Sequence, residues 1–541
     1  MCGIQLFIEL LEKSNFSKYL DNIKPRGPEH TIHHESHYKD YIINFGFQRL
    51  KINDTSDAGN QPFMYYDDKH TIYSFTNGEI YNHLDLEKKY EIKTKSHSDC
   101  EVILHMYQMG VHITELVNEL DGVFAGIIID FDKENDNVII YAFRDRFGVR
   151  PLYYGKTEFN YYFSSELKGI PEEVSQVNQF PPGQILKLDL DKNIIEMKEY
   201  FNYTYPTNIT NEETALKKIR DTFETAVAKR MMSDRPMCCL LSGGLDSSLV
   251  ASVLAKNSKE RIHTFCIGME GGEDFKYAKI VAEHINSIHH EIVLTQDDFL
   301  KALPEVVRVI ESYDGTTCRA STGQYLVSKY ISEKTDFKVV YVGEGSDELT
   351  GGYLYFHNAP TPKDFDQECK RLLKDIHYFD GKRSDRCVSH FGLETRVPFL
   401  DKDFVQTYLS ISSELRWHFG KIEKYLLRKA FDEETSGYSY LPKDVLWRIK
   451  EAFSDGVSSK KKSWYQIIQE KCKELIGEEY EEMRNKYAYY LMPYNLELYY
   501  YRKIFDEHYP NKDLVIPYFW LPKWSGNIAE ASARVLKVYK H

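Results

Sequence analysis

Ser242-Gly243-Gly244-Leu245-Asp246-Ser247-Ser248 is the stretch that decides how this chain folds. It follows the compact apolar run Met237 to Leu241, which has strand length, and precedes a helical pattern opening near Ser248. Two glycines let backbone N–H groups approach an oxyanion, and a helix N-terminus adds unsatisfied donors and partial positive charge. The hydroxyls of Ser242, Ser247 and Ser248 suit phosphate oxygens, and the Asp246 carboxylate suits a magnesium ion bridging them. The loop is not of the Walker type. The one decoy, Gly155-Lys156-Thr157, has Arg150 at the upstream glycine position and sits among β segments, where it reads as a hairpin turn.

Outward from this loop, helical lengths alternate with apolar runs: a helix over about 211–231, strands at Met237 to Leu241, Ile262 to Ile267 and Val339 to Val342, and a helix over 248–255. That alternation predicts βαβ units on a doubly wound parallel α/β sheet. Before residue 200 the pattern differs. Short β segments at 41–47, 71–75, 124–131, 138–143, 161–164 and 184–190 are bounded by Gly, Asn, Asp and Pro, and one amphipathic helix over 99–109 carries Val102, Ile103, Met106 and Tyr107 on one side. Two domains are expected, 2–200 and 201–541, the latter with a charged, tyrosine-rich helical tail from about residue 451.

With 541 residues, 42% hydrophobic and 28% charged, the chain exceeds any small binding module and has ample material for full cores. A net charge of −13 argues against a nucleic-acid partner, because phosphate-backbone affinity rests on clustered Lys and Arg. Nine cysteines are too few for a disulfide scaffold and point to a reducing, cytoplasmic setting. The start carries Glu9 among its apolar residues and does not read as a secretory signal. No run approaches a membrane helix, Val123 to Ile129 having only strand length.

Cys2 follows the initiator methionine, whose removal is expected beside so small a residue. A terminal amine, with a pKa of about 7.7–8.0, would then accept the proton of its own thiol and make Cys2 a self-activated nucleophile. Asn77-Gly-Glu-Ile-Tyr-Asn-His83 follows a strand-like run and is read as a turn. The Asn77 amide and the Gly78 N–H are oxyanion-hole donors. Arg49 suits an α-carboxylate, and Glu79 with Asp99 an α-ammonium group. Taken alone, Cys2-Gly-Ile also reads as the start of a buried strand.

Motif order resolves the choice. Cys2-Gly-Ile, Arg26-Gly-Pro28, Arg49-Leu50, Asn77 to Asn82, Asp99-Cys-Glu101, Leu120 to Ala125, Arg144 to Tyr153 and Ser165 to Lys168 resemble the glutamine amidotransferase domain of N-terminal-nucleophile hydrolases. The resemblance implies a four-layer αββα sandwich in which Cys2 attacks the side-chain amide of glutamine and frees ammonia. Pro25 and Glu29 stand where that family has His and Asp. The Ser242 loop is similar to the pyrophosphate loop of enzymes that split ATP into AMP and pyrophosphate. Ser312 to Thr322, Gly343 to Glu348 with Gly351 to His357, Glu394 to Asp401 and Trp447 to Gly456 resemble the synthetase domain of the glutamine-dependent asparagine synthetase family; Val342 replaces a serine usual in bacterial members.

The resemblance implies ATP held by Leu241, Ser242, Gly243, Gly244, Asp246, Ser247, Ser248, Ile267 and Gly343. It implies aspartate at Thr316, Thr317, Arg319 and Asp347, and Mg2+ on Asp246 and Asp347. Lys450 is expected at phosphate and Glu344 as proton acceptor in the ammonia step, with an apolar passage for ammonia, a homodimer and a closing run Trp524 to Tyr539 like the family's tail. Two rivals stay open: a ligase of the same architecture acting on another carboxylate, and a non-catalytic regulatory homologue. Other signals are weak. His33 and His37 lack a pattern that orients them, His289-His290 reads as the end of a strand, and Lys460-Lys461-Lys462 reads as a solvated turn.

Overall fold

The computed structural model describes residues 1–10, 14–450, 456–458 and 462–526. Lys460, Lys461, the middle of the Trp447 to Gly456 motif and most of the closing run lie outside them. The chain divides into two compact units, one of Met1–Tyr203 with Met232–Arg235 and Ser389–Glu394, the other of the remaining residues.

The first unit contains two six-stranded sheets. In one, Gly3–Leu10 lies between Tyr41–Arg49 and Tyr161–Ser164, antiparallel to both, with Ile4 opposite Phe47. Ile4, Leu6 and Ile8 alternate toward a core shared with Phe75, Ile127, Ile129 and Ile140 of the other sheet. The opposite face is covered too, since Phe7 meets Phe16 of the helix Phe16–Asn22 edge-on at 5.0 Å. A strand buried on both faces is therefore what Cys2 leads into. The second sheet centres on Gly122–Asp132, flanked by His70–Ile80 and Asn137–Arg144. Its outer face carries the helix Glu101–Gln108, whose Val102, Ile103 and Met106 are buried as the amphipathic pattern requires. Helix, sheet, sheet and helix make the four layers.

Two expectations change here. Asn77 to Ile80 are not a turn but the last four residues of the strand His70–Ile80, because the ladder to Gly122–Asp132 runs on to Ile80 opposite Gly122. The histidines at 33 and 37 are oriented after all, on the edge strand His30–Tyr38, which pairs in register with Tyr41–Arg49. Its polar alternation lacks the apolar face by which inner strands are read from sequence.

In the second unit Ile288–Leu294, His263–Met269, Met237–Leu240 and Val339–Tyr341 run parallel in that spatial order. His289 and His290 open a strand rather than close one; His290 stacks on Phe265 at 4.5 Å. The chain builds outward in one direction from Met237–Leu240, then returns to add Val339–Tyr341 on the other side. That reversal leaves a crevice at the carboxyl ends of these two strands, where open α/β sheets bind ligands. The Ser242 and Gly343 loops leave those two ends. Among the described residues no helix is long and apolar enough to cross a membrane.

Candidate active site

In the first unit the Cys2 N–H donates to Asn77 Oδ1 at 3.0 Å, and Arg26 Nε holds the Cys2 carbonyl at 2.8 Å. Arg26 is in turn fixed by Glu166 at 2.7 Å and is fully buried. With Asn77 Oδ1 engaged by the nucleophile's own backbone, its buried amide Nδ2 has no hydrogen-bond partner among the described residues. An unsatisfied buried donor costs about 1–3 kcal/mol, so its retention beside a thiol is what an oxyanion site requires. A Cβ at position 78 would lie 2.2 Å from the Val123 carbonyl, so only glycine fits the crossing beside Asn77.

Glu79 and Asp99 converge on one side chain: Asn53 Nδ2 donates to Glu79 and, at 3.2 Å, to Asp99. Asp99 also accepts the Ile80 N–H at 2.6 Å. Arg49 is used differently from the expectation. Its Nη1 donates to the Ser56 carbonyl and Asn60 Oδ1 at 2.7 Å, and its Nη2 to the carbonyls of Asn53 and Asp54. It thus shapes the loop that carries Asn53, with its guanidinium committed to that loop. The Cys2 thiol is half-buried, and burial pushes it above the ordinary thiol range. Cys2 Sγ lies 3.7 Å from the Leu50 carbonyl.

The second unit has a cavity of about 150 Å³ at the crevice. Of the residues expected to hold ATP, Leu241, Ser242, Gly244, Asp246, Ser247, Ile267 and Gly343 line it, together with Glu344, Asp347 and Lys450. The loop is tied by its hydroxyls, Ser242 Oγ lying 3.1 Å from Ser247 Oγ. Gly243 and Ser248 do not line the cavity. Gly243 has φ +73°, and a Cβ there would meet the Ala278 nitrogen at 2.4 Å, so it forms the turn itself. The helix begins at Leu245, three residues before the sequence suggests, and Ser248 is thereby carried into its buried side.

Asp246 and Asp347 converge as expected, but on a cation the sequence reading did not single out. Lys424 Nζ is 2.6 Å from both carboxylates, and Lys450 pairs with Asp347 while lying 4.0 Å from Asp246. These ammonium groups hold the Asp347 carboxyl well below the usual range, outweighing its burial. Asp347 and Asp246 thus form a two-carboxylate set gathered around the Lys424 ammonium with Lys450 beside it, and two such carboxylates are oxygen donors of the kind Mg2+ uses with substrate phosphates. Lys424 has φ +59° just before the helix Tyr425–Phe431, a left-handed residue that no composition or periodicity announces.

The aspartate residues separate. Asp347 is in the cavity, whereas Thr316 and Arg319 line a second, much smaller cavity of about 10 Å³ with Asn495 and Glu497. Thr317 serves the start of the helix Gly315–Lys334, its N–H and hydroxyl both donating to Asp314 Oδ2 at 2.8 Å. Arg319 Nε is paired with buried Glu497 at 3.1 Å. Further along that helix, Gln324 and Val327 reach the large cavity.

A nucleophile-and-amide site in an αββα unit and a glycine-rich phosphate loop at a switch point define a glutamine amidotransferase joined to a nucleotide-using synthetase. The glutamine amidotransferase domain model matches residues 1–213, and the asparagine synthase model matches 218–364 and 358–533. The asparagine synthetase [glutamine-hydrolyzing] of Gallus gallus is 42% identical over 526 residues, covering 92% of this chain and 91% of its own length. Those of Mus musculus and Homo sapiens are 41% and 40% identical over 524 residues, each covering 92% of this chain and 91% of the relative. The chain belongs to the glutamine-hydrolysing asparagine synthetase family.

Proposed function

We propose that this protein makes asparagine from aspartate, with ATP as energy source and glutamine as nitrogen donor. The observation that carries the reading is the convergence of Asp246, Asp347, Lys424 and Lys450 on one cavity beside the glycine-rich loop. In the first unit, cleavage of the Met1–Cys2 bond frees the amine that takes the Cys2 thiol proton. Sγ then adds to the glutamine side-chain carbonyl, whose oxyanion is met by Asn77 Nδ2 and the Gly78 N–H. The proton passes to the departing ammonia, and water releases glutamate from the thioester. Glu79 and Asp99 fix the substrate's α-ammonium group, while Arg49 acts through the loop it braces.

In the second unit the aspartate β-carboxylate attacks the α-phosphorus of ATP, pyrophosphate leaves, and the carboxyl carbon gains AMP as a good leaving group. Lys450 sets a fixed cation against the charge growing on phosphate. Magnesium, held by Asp246 and Asp347, would neutralise phosphate charge. Ammonia then attacks the acyl carbon, AMP leaves, and Glu344 takes the proton. Aspartate binding at Thr316 and Arg319 requires that its carboxylate displace Glu497, since the cavity there is too small for an amino acid.

The test is product analysis with ATP, aspartate and either glutamine or ammonia. AMP, pyrophosphate and asparagine are expected from both nitrogen sources, and Cys2→Ala should lose only the glutamine-dependent reaction. ADP in place of AMP, or no asparagine from either source, would overturn the reading.

A further inference from the structure

Glu344 is held by a chain of side chains that reaches away from the phosphate loop. Arg383 Nη1 donates to Glu344 Oε1 at 2.9 Å, and Gln324 Nε2 donates to the same oxygen at 3.2 Å. Both donors land on one oxygen, so among the described residues Oε2 has no side-chain donor in the wall of the cavity that Glu344 lines. The other edge of the Arg383 guanidinium is clamped: Nε and Nη2 donate to Asp380 Oδ1 at 3.0 and 2.8 Å. Asp380 Oδ2 lies 2.8 Å from the Tyr353 hydroxyl. Arg383 also spans the helix spacing, its Nη1 reaching Gln324 Oε1 at 2.9 Å. A planar guanidinium fixed on both edges has no freedom to turn away, which a lysine ammonium would retain.

From this geometry we infer that Arg383, oriented by Asp380, is a positioning residue for the acyl-transfer step: it pins one oxygen of Glu344 and presents the other to the attacking nitrogen nucleophile. The inference rests on Glu344 being the proton acceptor proposed above. Among the described residues, Glu344 is faced by Arg383 and Asp380 with the Cys387 thiol from one helix, Gln324 from another, and the Cys239 thiol from the central strand. Burial raises the Glu344 carboxyl above its ordinary value and Arg383 opposes that rise, with Asp380 adding to it. Arg383 is thus the cation that opposes the rise most strongly.

The sign follows. With Arg383 uncharged, Glu344 is ionised only at higher pH, so the acid limb of the rate profile moves upward. The experiment follows aspartyl hydroxamate formation from aspartate, ATP and hydroxylamine, which stays neutral around pH 7, across a pH series in the full-length protein. Arg383→Gln should move the acid limb of kcat/KM for hydroxylamine up by about 1–3 units, the usual range for losing an adjacent opposite charge. Arg383→Lys should keep the limb near its original position while lowering kcat. Tyr353→Phe, which removes a hydroxyl that reaches both Asp380 and Glu348 and leaves the Arg383 charge in place, should give a smaller loss than either. A uniform drop in Arg383→Gln with the limb unmoved would overturn the inference. Thermal unfolding of the same preparations, matching wild type, reports that the unit carrying Arg383 has folded. Glu344→Gln separates the two readings, because unimpaired hydroxamate formation there would remove Glu344 from the chemistry, whatever Arg383 does.

Discussion

Replacing Lys424 by Met keeps the apolar stem and removes the ammonium group on which Asp246 and Asp347 converge at 2.6 Å each. Lys424 is 2% exposed, and the two carboxylates are about one-sixth exposed, so little solvent screens the loss. The four-residue set of two carboxylates and two ammonium groups becomes net negative, with Lys450 the remaining cation within 4.0 Å of both. Removing one partner of a buried ion pair costs about 3–5 kcal/mol. At the average unfolding entropy per residue, that corresponds to a fall of about 4–7 °C in the apparent Tm of a unit of this size. The stranded carboxylates should also bind a divalent cation better than the wild-type pair does. Magnesium at about a hundred times its Kd would return about 2.7 kcal/mol. The assay is thermal unfolding of both proteins in EDTA and in millimolar Mg2+, without nucleotide. The variant should melt lower in EDTA and recover most of the difference with Mg2+, while the wild type shifts little. An unchanged Tm in EDTA would refute the energetic argument. A lowered Tm with no response to Mg2+ would refute the assignment of Asp246 and Asp347 as the metal-holding pair.

Gly78→Ala should abolish glutamine-dependent synthesis while sparing the ammonia-dependent reaction, because a Cβ 2.2 Å from the Val123 carbonyl must displace the strand that carries Asn77; the ratio of the two activities measures this. Glu101 supplies a pH dependence of known sign. Although burial opposes ionisation, His105 and the N–H groups of Lys95 and Ser96 hold its carboxyl down at about 2, below its ordinary 4.5. The stability it contributes, about 3 kcal/mol, is present above pH 4.5 and is lost as pH falls toward 2. Denaturant unfolding should therefore show Glu101→Gln weaker than wild type at pH 7, with the gap closing near pH 2.

The site was legible where its chemistry is contiguous in the chain. Ser242 to Ser248 carries strand end, glycine turn, hydroxyls and carboxylate in seven residues, so local pattern suffices. Cys2 with Asn77 and Gly78 needed family order as well, since a lone cysteine before a strand has a bland reading. What was not legible depends on residues far apart. Lys424 lies 178 positions from Asp246, in a left-handed conformation before a short helix. Arg49 has the residue type of a carboxylate clamp, yet the loop 53–60 takes up its guanidinium. Ser248 belongs to the motif, but the helix starts early enough to bury it.

Sequence by itself determined the two fold classes, the antiparallel start and the parallel continuation, because hydrophobic periodicity and turn residues act within a few positions. It also determined the family, because so many motifs recur in order. Only the tertiary structure decided which charges meet. Thr316, Thr317 and Arg319 sit in one motif with hydroxyls and a guanidinium suited to aspartate, but folding gives Thr317 to Asp314 and Arg319 to Glu497. Buried charges must find partners wherever packing places them. Asp314 is a local helix cap for Thr317, but Glu497 reaches Arg319 from a helix more than a hundred residues further on, which no local pattern encodes.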